Sequence, residues 1–223
     1  MRADLGDGEP GRIQLPGDRA RIRGVLFDFD GTLTRPGSLD FPAIKREMGC
    51  PVDQPILEYL EKQPAHRRAR MLEILEEMED KAAEVSRPNQ GVERCLSLIR
   101  EHGLAMGILT RNSIRSVKKA LKWFQGIAPQ DFAAIITREV SPPKPKPDGV
   151  IEAARRMGLP PSQVLVVGDF RFDILAGKAA GAPTALLTNG GRTAMAPGDP
   201  EPDHIVGQFE EIMGILGLRE RQD

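Results

Sequence analysis

Two carboxylates, Asp28 and Asp30, stand two residues apart in the run VLFDFDGTLT over 25–34, after an apolar segment and directly before a glycine. That spacing allows one carboxylate to act as nucleophile and metal ligand while its neighbour carries a proton. Val25, Leu26, Phe27 and Phe29 suit a buried parallel strand, and open parallel sheets hold their ligands at the carboxyl ends of their strands. Gly31 lets the backbone turn away tightly, and Thr32 offers a compact hydroxyl to pin the turn. An Asp-x-Asp pair alone is equally compatible with a solvated acidic loop, so the reading depends on what accompanies it.

Four further polar groups follow in order. LAMGILT, at 104–110, reads as a strand ending on the hydroxyl of Thr110. Lys144 lies in PPKPKPDG just before a helical pattern. VLVVGD, at 164–169, is a Val/Leu strand delivering Asp169, and Asp173 comes four residues later. A parallel sheet would gather these groups along one edge.

The elements needed to position them are legible. GVERCLSLIREHG (91–103) places Val92, Cys95, Leu96 and Ile99 on one helical face, and SIRSVKKALKWF (113–124) does the same with Ile114, Val117, Leu121 and Phe124. Strands are expected at 132–137, 164–167, 184–188 and 204–206. Helices are expected at 148–158, with Val150, Ile151, Ala154 and Met157 inward, and at 173–181 and 207–217. Alternation of strand and helix implies a doubly wound, Rossmann-like parallel sheet of the α/β class. Residues 35–86 interrupt it with helical stretches at 40–48 (Phe41, Ile44, Met48), 53–62 (Ile56, Leu57, Leu60) and 65–85 (Met71, Leu72, Leu75, Met78), bounded by linker-like TRPGS and SRPNQG. The expected organisation is a tail at 1–22, a core of 23–34 and 87–223, and a small all-helical cap of two or three helices at 35–86, inserted after the first strand.

With these motifs in order, the chain resembles the phosphatase branch of the haloacid dehalogenase-like superfamily, in its phosphoglycolate phosphatase and β-phosphoglucomutase-like form, over roughly 24–216. The resemblance implies a Mg²⁺-dependent phosphatase acting on a small phosphomonoester. Asp28 would be the nucleophile that carries an aspartyl-phosphate, and Asp30 the general acid and base. Thr110 would hydrogen-bond a phosphoryl oxygen and Lys144 would neutralise charge. Mg²⁺ would be held by Asp28, the backbone carbonyl of Asp30 and Asp169. A phosphate beside Asp28 and Asp169 meets like charges, each costing about 4 kcal/mol near contact at a surface-like dielectric, more than one lysine offsets.

Several alternatives stay open. Lys146 could replace Lys144, although the family's lysine precedes Pro-x-Pro, as Pro145-Lys146-Pro147 does here. Asp173 could orient the metal's waters or Lys144, or simply cap its helix. Arg111 and Asn112 could touch substrate or form an exposed helix start. Phe170 and Arg35 depart from common family patterns near the expected mouth of the site. The acidic run EILEEMEDKAAE, the run AHRRAR and the stripe Arg115, Lys118, Lys119, Lys122 read more naturally as solvated helix faces than as a substrate entrance or partner surface. A phosphomutase or other phosphotransferase, a phosphonate hydrolase, a dehalogenase and a non-catalytic phosphate-binding or phospho-acceptor domain are the competing functions. Asp30 has no use in a dehalogenase, and no cap lysine stands in an apolar setting.

Net charge is −1 over 223 residues, which gives no global attraction to nucleic acid or anionic membrane. Cys50 and Cys95 lack a pairing motif and read as buried thiols of a reducing, cytoplasmic setting. The first 22 residues carry arginines but no apolar run, so they read as a poorly ordered tail rather than a signal peptide. His66, His102 and His204 read as surface residues. A monomer acting on a small phosphorylated metabolite, without nucleic acid or membrane partners, is the expectation.

Overall fold

The computed structural model describes residues 22–220. Six strands form one sheet: β1 (Gly24–Phe27), β2 (Ala105–Leu109), β3 (Ala134–Ile136), β4 (Val164–Gly168), β5 (Thr184–Leu187) and β6 (His204–Val206). Their order is β3-β2-β1-β4-β5-β6 and every pairing is parallel. The chain works outward from β1 to β3 on one side, then crosses back to β4 on the other. The carboxyl ends of β1 and β4 therefore flank a topological switch point, where open sheets leave a crevice.

Alternation within the strands builds a core on each face. Val25, Phe27, Ile108, Leu165 and Val167 pack with α4 (Val92–Glu101), α5 (Ile114–Ala120) and α8 (Phe209–Leu216). Leu26, Leu109, Val164 and Val166 pack on the other side with α6 (Asp148–Arg156) and α7 (Arg171–Ala179). Because both faces are covered, the central strands read as continuous apolar runs.

Between β1 and α4 lie three helices, α1 (Phe41–Met48), α2 (Ile56–Glu61) and α3 (Ala65–Val85). They share a separate apolar cluster that includes Ile44, Met48, Leu57, Leu60, Met71 and Leu75. Helix α1 is sharply delimited: Asp40 Oδ1 accepts from Ala43 N–H at 2.9 Å, and Gly49 closes the other end in the left-handed region. The segments entering and leaving this insert run side by side, with Thr34 bridged to Pro88 and Arg35 N–H donating to the Arg87 carbonyl.

Some expectations need correction. Ile151 is 49 % exposed, because the buried stripe of α6 runs through Gly149, Val150, Ala153 and Ala154 and position 151 falls off it. Phe41 is likewise 51 % exposed rather than inward. Helix α5 stops at Ala120 and tightens into a single turn over Leu121–Trp123. Arg35 lies in the linker, its Nε donating to the Pro88 carbonyl, and not on the cavity described below.

The acidic run of α3 is solvated only in part: Glu73, Glu76, Glu77 and Glu84 are exposed, but Glu79 and Asp80 turn to the sheet domain. Glu79 is buried and bonds Arg138, Asp80 bonds Arg115 and Lys119, and Glu84 bonds Lys119. Trp123 Nε1 donates to the Ala83 carbonyl, and the Arg87 guanidinium lies 3.9 Å from the Trp123 ring centroid. The run and half of the basic stripe thus form the seam between insert and sheet domain. The expected tail lies outside the described residues, except Ile22, which packs against the core. Both cysteines are free and buried.

Candidate active site

Asp28 is the first residue past β1, and its N–H still donates to the Val167 carbonyl at 2.8 Å. The chain then winds through a tight turn over 29–33, with Gly31 at φ +78°. A side chain there would also collide with the Asp169 carboxylate, its Cβ falling 2.2 Å from an oxygen. Glycine is therefore required twice over, by conformation and by close approach. Thr32 lies within 3.5 Å of Asp169, and Asn189 and Asn89 secure the turn by donating to the carbonyls of Gly31 and Thr32.

Thr110 follows β2, Asp169 follows β4, and Asp173 occupies the first turn of α7. Gly168 admits Asp173 to the group, since a Cβ there would lie 2.1 Å from its carboxyl carbon. Lys144 reaches in from the β3–α6 loop and is buried, with Nζ 2.5 Å from both Asp28 and Asp173. Lys146 is exposed and belongs to no such cluster. All eight residues singled out above (Asp28, Asp30, Thr110, Arg111, Asn112, Lys144, Asp169 and Asp173) line one cavity of about 560 Å³.

Asn112 and Arg111 are not an exposed helix start, because Ser113 supplies that cap by accepting from Ser116 N–H. Asn112 is buried, and its Nδ2 donates to Asp30 Oδ2 at 2.6 Å. Arg111 forms a bidentate pair with Glu58 of α2, at 2.9 and 2.6 Å, and donates to the Lys144 carbonyl. Burial works against the Glu58 carboxylate, but the Arg111 hydrogen bond and charge hold it below its usual range.

Charge is strongly unbalanced. Burial, then the neighbouring Asp28, push Asp30 well above the ordinary carboxylate range. Burial, Asp28 and Asp173 push Asp169 up to about 8. Burial raises Asp173 to about 6 despite Lys144. Burial alone would lower the Lys144 ammonium, yet Asp173 and Asp28 outweigh it and keep it charged. Oxygens of Asp28, Asp169 and Asp173 come within 4.8 Å of one another. A set of hard, crowded carboxylate oxygens with one cation among them fits a divalent metal of the Mg²⁺ type.

The sequence reading missed Glu58, Phe41 and Phe172 as parts of the site's surroundings, and missed the Glu79–Arg138 pair altogether. No motif announces them, since each owes its place to contacts between distant segments.

A haloacid dehalogenase-like hydrolase family model matches residues 22–181. The chain belongs to that family. It is 30 % identical to the phosphoglycolate phosphatase of Salmonella typhimurium, over 88 % of this chain and 93 % of that protein. It is also 30 % identical to the N-acetylmuramic acid 6-phosphate phosphatase of Pseudomonas aeruginosa, over 77 % of this chain and 84 % of that one. The fold matches the crystal structure of a hydrolase from Pseudomonas syringae with a TM-score of 0.73 and 20 % identity, covering 87 % and 98 % of the two chains. Among the described residues no helix is long and apolar enough to cross a membrane.

Proposed function

We propose that this haloacid dehalogenase-like hydrolase is a Mg²⁺-dependent phosphatase that hydrolyses a small phosphomonoester through an aspartyl-phosphate on Asp28. The observation that carries this reading is the pairing of two unlike carboxylates: Asp28 held against the Lys144 ammonium, and Asp30, two residues on, kept in the proton-bearing range by burial. A carboxylate fixed against an ammonium at the sheet edge is placed to attack, and a carboxyl raised by burial is suited to give a proton. The two phosphatases named above support the reaction class, although their substrates differ from one another.

In the first half-reaction an Asp28 oxygen attacks phosphorus, the bond to the leaving alcohol breaks, and the Asp30 proton passes to the departing oxygen. In the second, water attacks the phosphorus of the acyl-phosphate, its proton returns to Asp30, and phosphate and the Asp28 carboxylate are released. Asn112 steadies Asp30 throughout, Lys144 neutralises charge between Asp28 and the phosphoryl group, and Thr110 lines the phosphoryl pocket. Mg²⁺ held by Asp28, Asp169 and the Asp30 carbonyl would offset the charge that Lys144 alone leaves uncompensated. Asp173 positions Lys144 through its ion pair. The insert of α1–α3 acts as a cap, and Phe41, Val52 and Ile56 from α1, the α1–α2 loop and α2 line the same cavity as the catalytic carboxylates.

Steady release of inorganic phosphate from a panel of phosphomonoesters, with Mg²⁺, tests the reading. Turnover without net phosphate, with isomerised sugar phosphate as product, would instead identify a mutase. No turnover on any phosphomonoester would reject it.

A further inference from the structure

Beyond the phosphoryl end, the cavity has a second character. Phe41, Val52 and Ile56 of the insert line it together with Phe170 and Phe172 at the start of α7. Phe170 and Phe172 meet edge to face at 5.1 Å between centroids. Among the described residues, Phe41, Val52 and Phe170 belong to the few large apolar side chains left exposed, at 51, 87 and 45 %. Singly exposed apolar residues need no explanation, but several converging on one catalytic cleft do.

Three of the lining's cations already have carboxylate partners. Arg111 is bidentate with Glu58, Arg171 is paired with Asp199, and Lys144 serves Asp28 and Asp173. Lys45 donates to the Val52 carbonyl at 2.5 Å, with Asp53 on the same rim. A substrate with a second anionic group would have to break the Arg111 or Arg171 pair or rely on Lys45 at the rim, whose hydrogen bond is to a backbone carbonyl. A hydrocarbon or aromatic leaving group would instead cover exposed apolar surface at no electrostatic cost. The volume, about 560 Å³, falls within the range of roughly 300–1,000 Å³ typical of sites for drug-sized ligands and would leave a two-carbon phosphoester loosely held.

Building on the phosphatase reading, we propose that the preferred substrate is the phosphate monoester of a bulky, uncharged, aromatic or largely apolar alcohol. Phe41, Phe170 and Phe172 are its specificity-determining residues. Phe170 offers an aromatic leaving group an exposed ring, and Phe172, which also carries the Arg111 and Arg171 guanidiniums 5.1 and 5.9 Å from its ring centroid, backs it.

The test compares 2-phenylethyl phosphate, ethyl phosphate, phosphoglycolate and a sugar bisphosphate with Mg²⁺ present. The alkyl pair share a similar leaving-group basicity, so their difference reports binding rather than chemistry. The expected result is a kcat/KM for phenylethyl phosphate about 10- to 100-fold above that for ethyl phosphate, with the doubly anionic esters below both. Phe170→Ser, at a helix N-cap that serine favours, and Phe41→Ala, at an exposed position, should each shrink the phenylethyl-to-ethyl ratio several-fold, mainly through KM. Phosphate release from all four esters without this preference, or a ratio untouched in both folded variants, would overturn the specificity while leaving the phosphatase intact. A preference for phosphoglycolate or the bisphosphate that Lys45→Ala abolishes would overturn it in favour of a second anion. No release from any ester or from a wider panel would reject the phosphatase reading itself.

Discussion

Among the described residues, Arg138 and Lys144 are deeply set cations, each beside more than one carboxylate, and they do different work. Arg138, at the seam between insert and core, pairs with buried Glu79 and donates to the Arg111 carbonyl, with half-exposed Glu76 3.6 Å away. Glu79 also accepts from Ser113 N–H. There one cation meets one buried carboxylate, and the other guanidinium end, Arg138 Nη2, is left without a hydrogen bond. Lys144 meets Asp28 and Asp173, but Asp30 and Asp169 crowd the same space with no cation of their own. The first cluster balances one cation against one buried carboxylate and holds structure. The second carries negative charge that the fold does not neutralise, which is the condition of a site built around something it binds.

The comparison can be broken most sharply at Asp28. Asp28→Asn should remove phosphate release to background while the protein stays folded, because an amide neither attacks phosphorus nor ligates metal well. Circular dichroism and thermal melting should show stability equal to or above that of the parent, since one of the crowded charges is gone. Residual wild-type activity in a folded variant would end the nucleophile assignment.

Asp30→Asn should cost roughly 10²–10⁴-fold in kcat for alkyl esters and distinctly less in phosphoenzyme formation for esters of acidic phenols, which leave unaided. Rapid-quench measurement of both leaving groups gives the contrast, and equal losses would contradict the acid role.

The seam predicts the opposite signature. Glu79→Ala strands Arg138 in a buried position, and breaking a buried pair from one side costs about 3–5 kcal/mol. A loss of about 3 kcal/mol corresponds to a fall of roughly 6–12 °C in melting temperature for a domain near this size. The double change Glu79→Met with Arg138→Met should recover part of it. Single and double variants melting alike would show that the pair is not coupled.

The smallest expected effect concerns metal and protons. Asp169 is pushed up to about 8 without a metal, so its carboxyl is largely protonated at neutral pH. A divalent ion must displace that proton. Apparent Mg²⁺ affinity, followed by calorimetry, should therefore strengthen as pH rises toward about 8 and level off above it. Asp169→Asn should weaken binding and flatten this dependence. Affinity constant from pH 6 to 9 in the parent protein would show that Asp169 is not the proton-exchanging ligand.

The site's floor was legible because its chemistry is written locally. Asp28, Thr110 and Asp169 each follow an apolar strand, and a parallel sheet aligns such strand ends whatever the loops do. What escaped the sequence depends on long-range geometry. The Glu79–Arg138 contact spans 59 residues and the Asn112–Asp30 contact 82. Nothing in the α3 run distinguishes a carboxylate that meets α5 from one that meets water, so the run looked solvated. Ile151 was misplaced because a short helix with several alanines and a glycine leaves its apolar stripe poorly defined. Phe41 is the instructive failure. Its place in an amphipathic pattern suggested the insert's core, whereas the fold turns it toward the cleft.

The adjacency of Thr34 and Pro88 has a consequence for the history of such chains. A segment whose two ends leave the sheet domain side by side can be lengthened or exchanged at little cost in loop entropy, provided that partners for Arg111 and Arg138 are kept. The catalytic carboxylates on the sheet edge need not shift when that happens. Inheritance of the reaction and inheritance of the substrate are thereby separable, carried by different stretches of one gene.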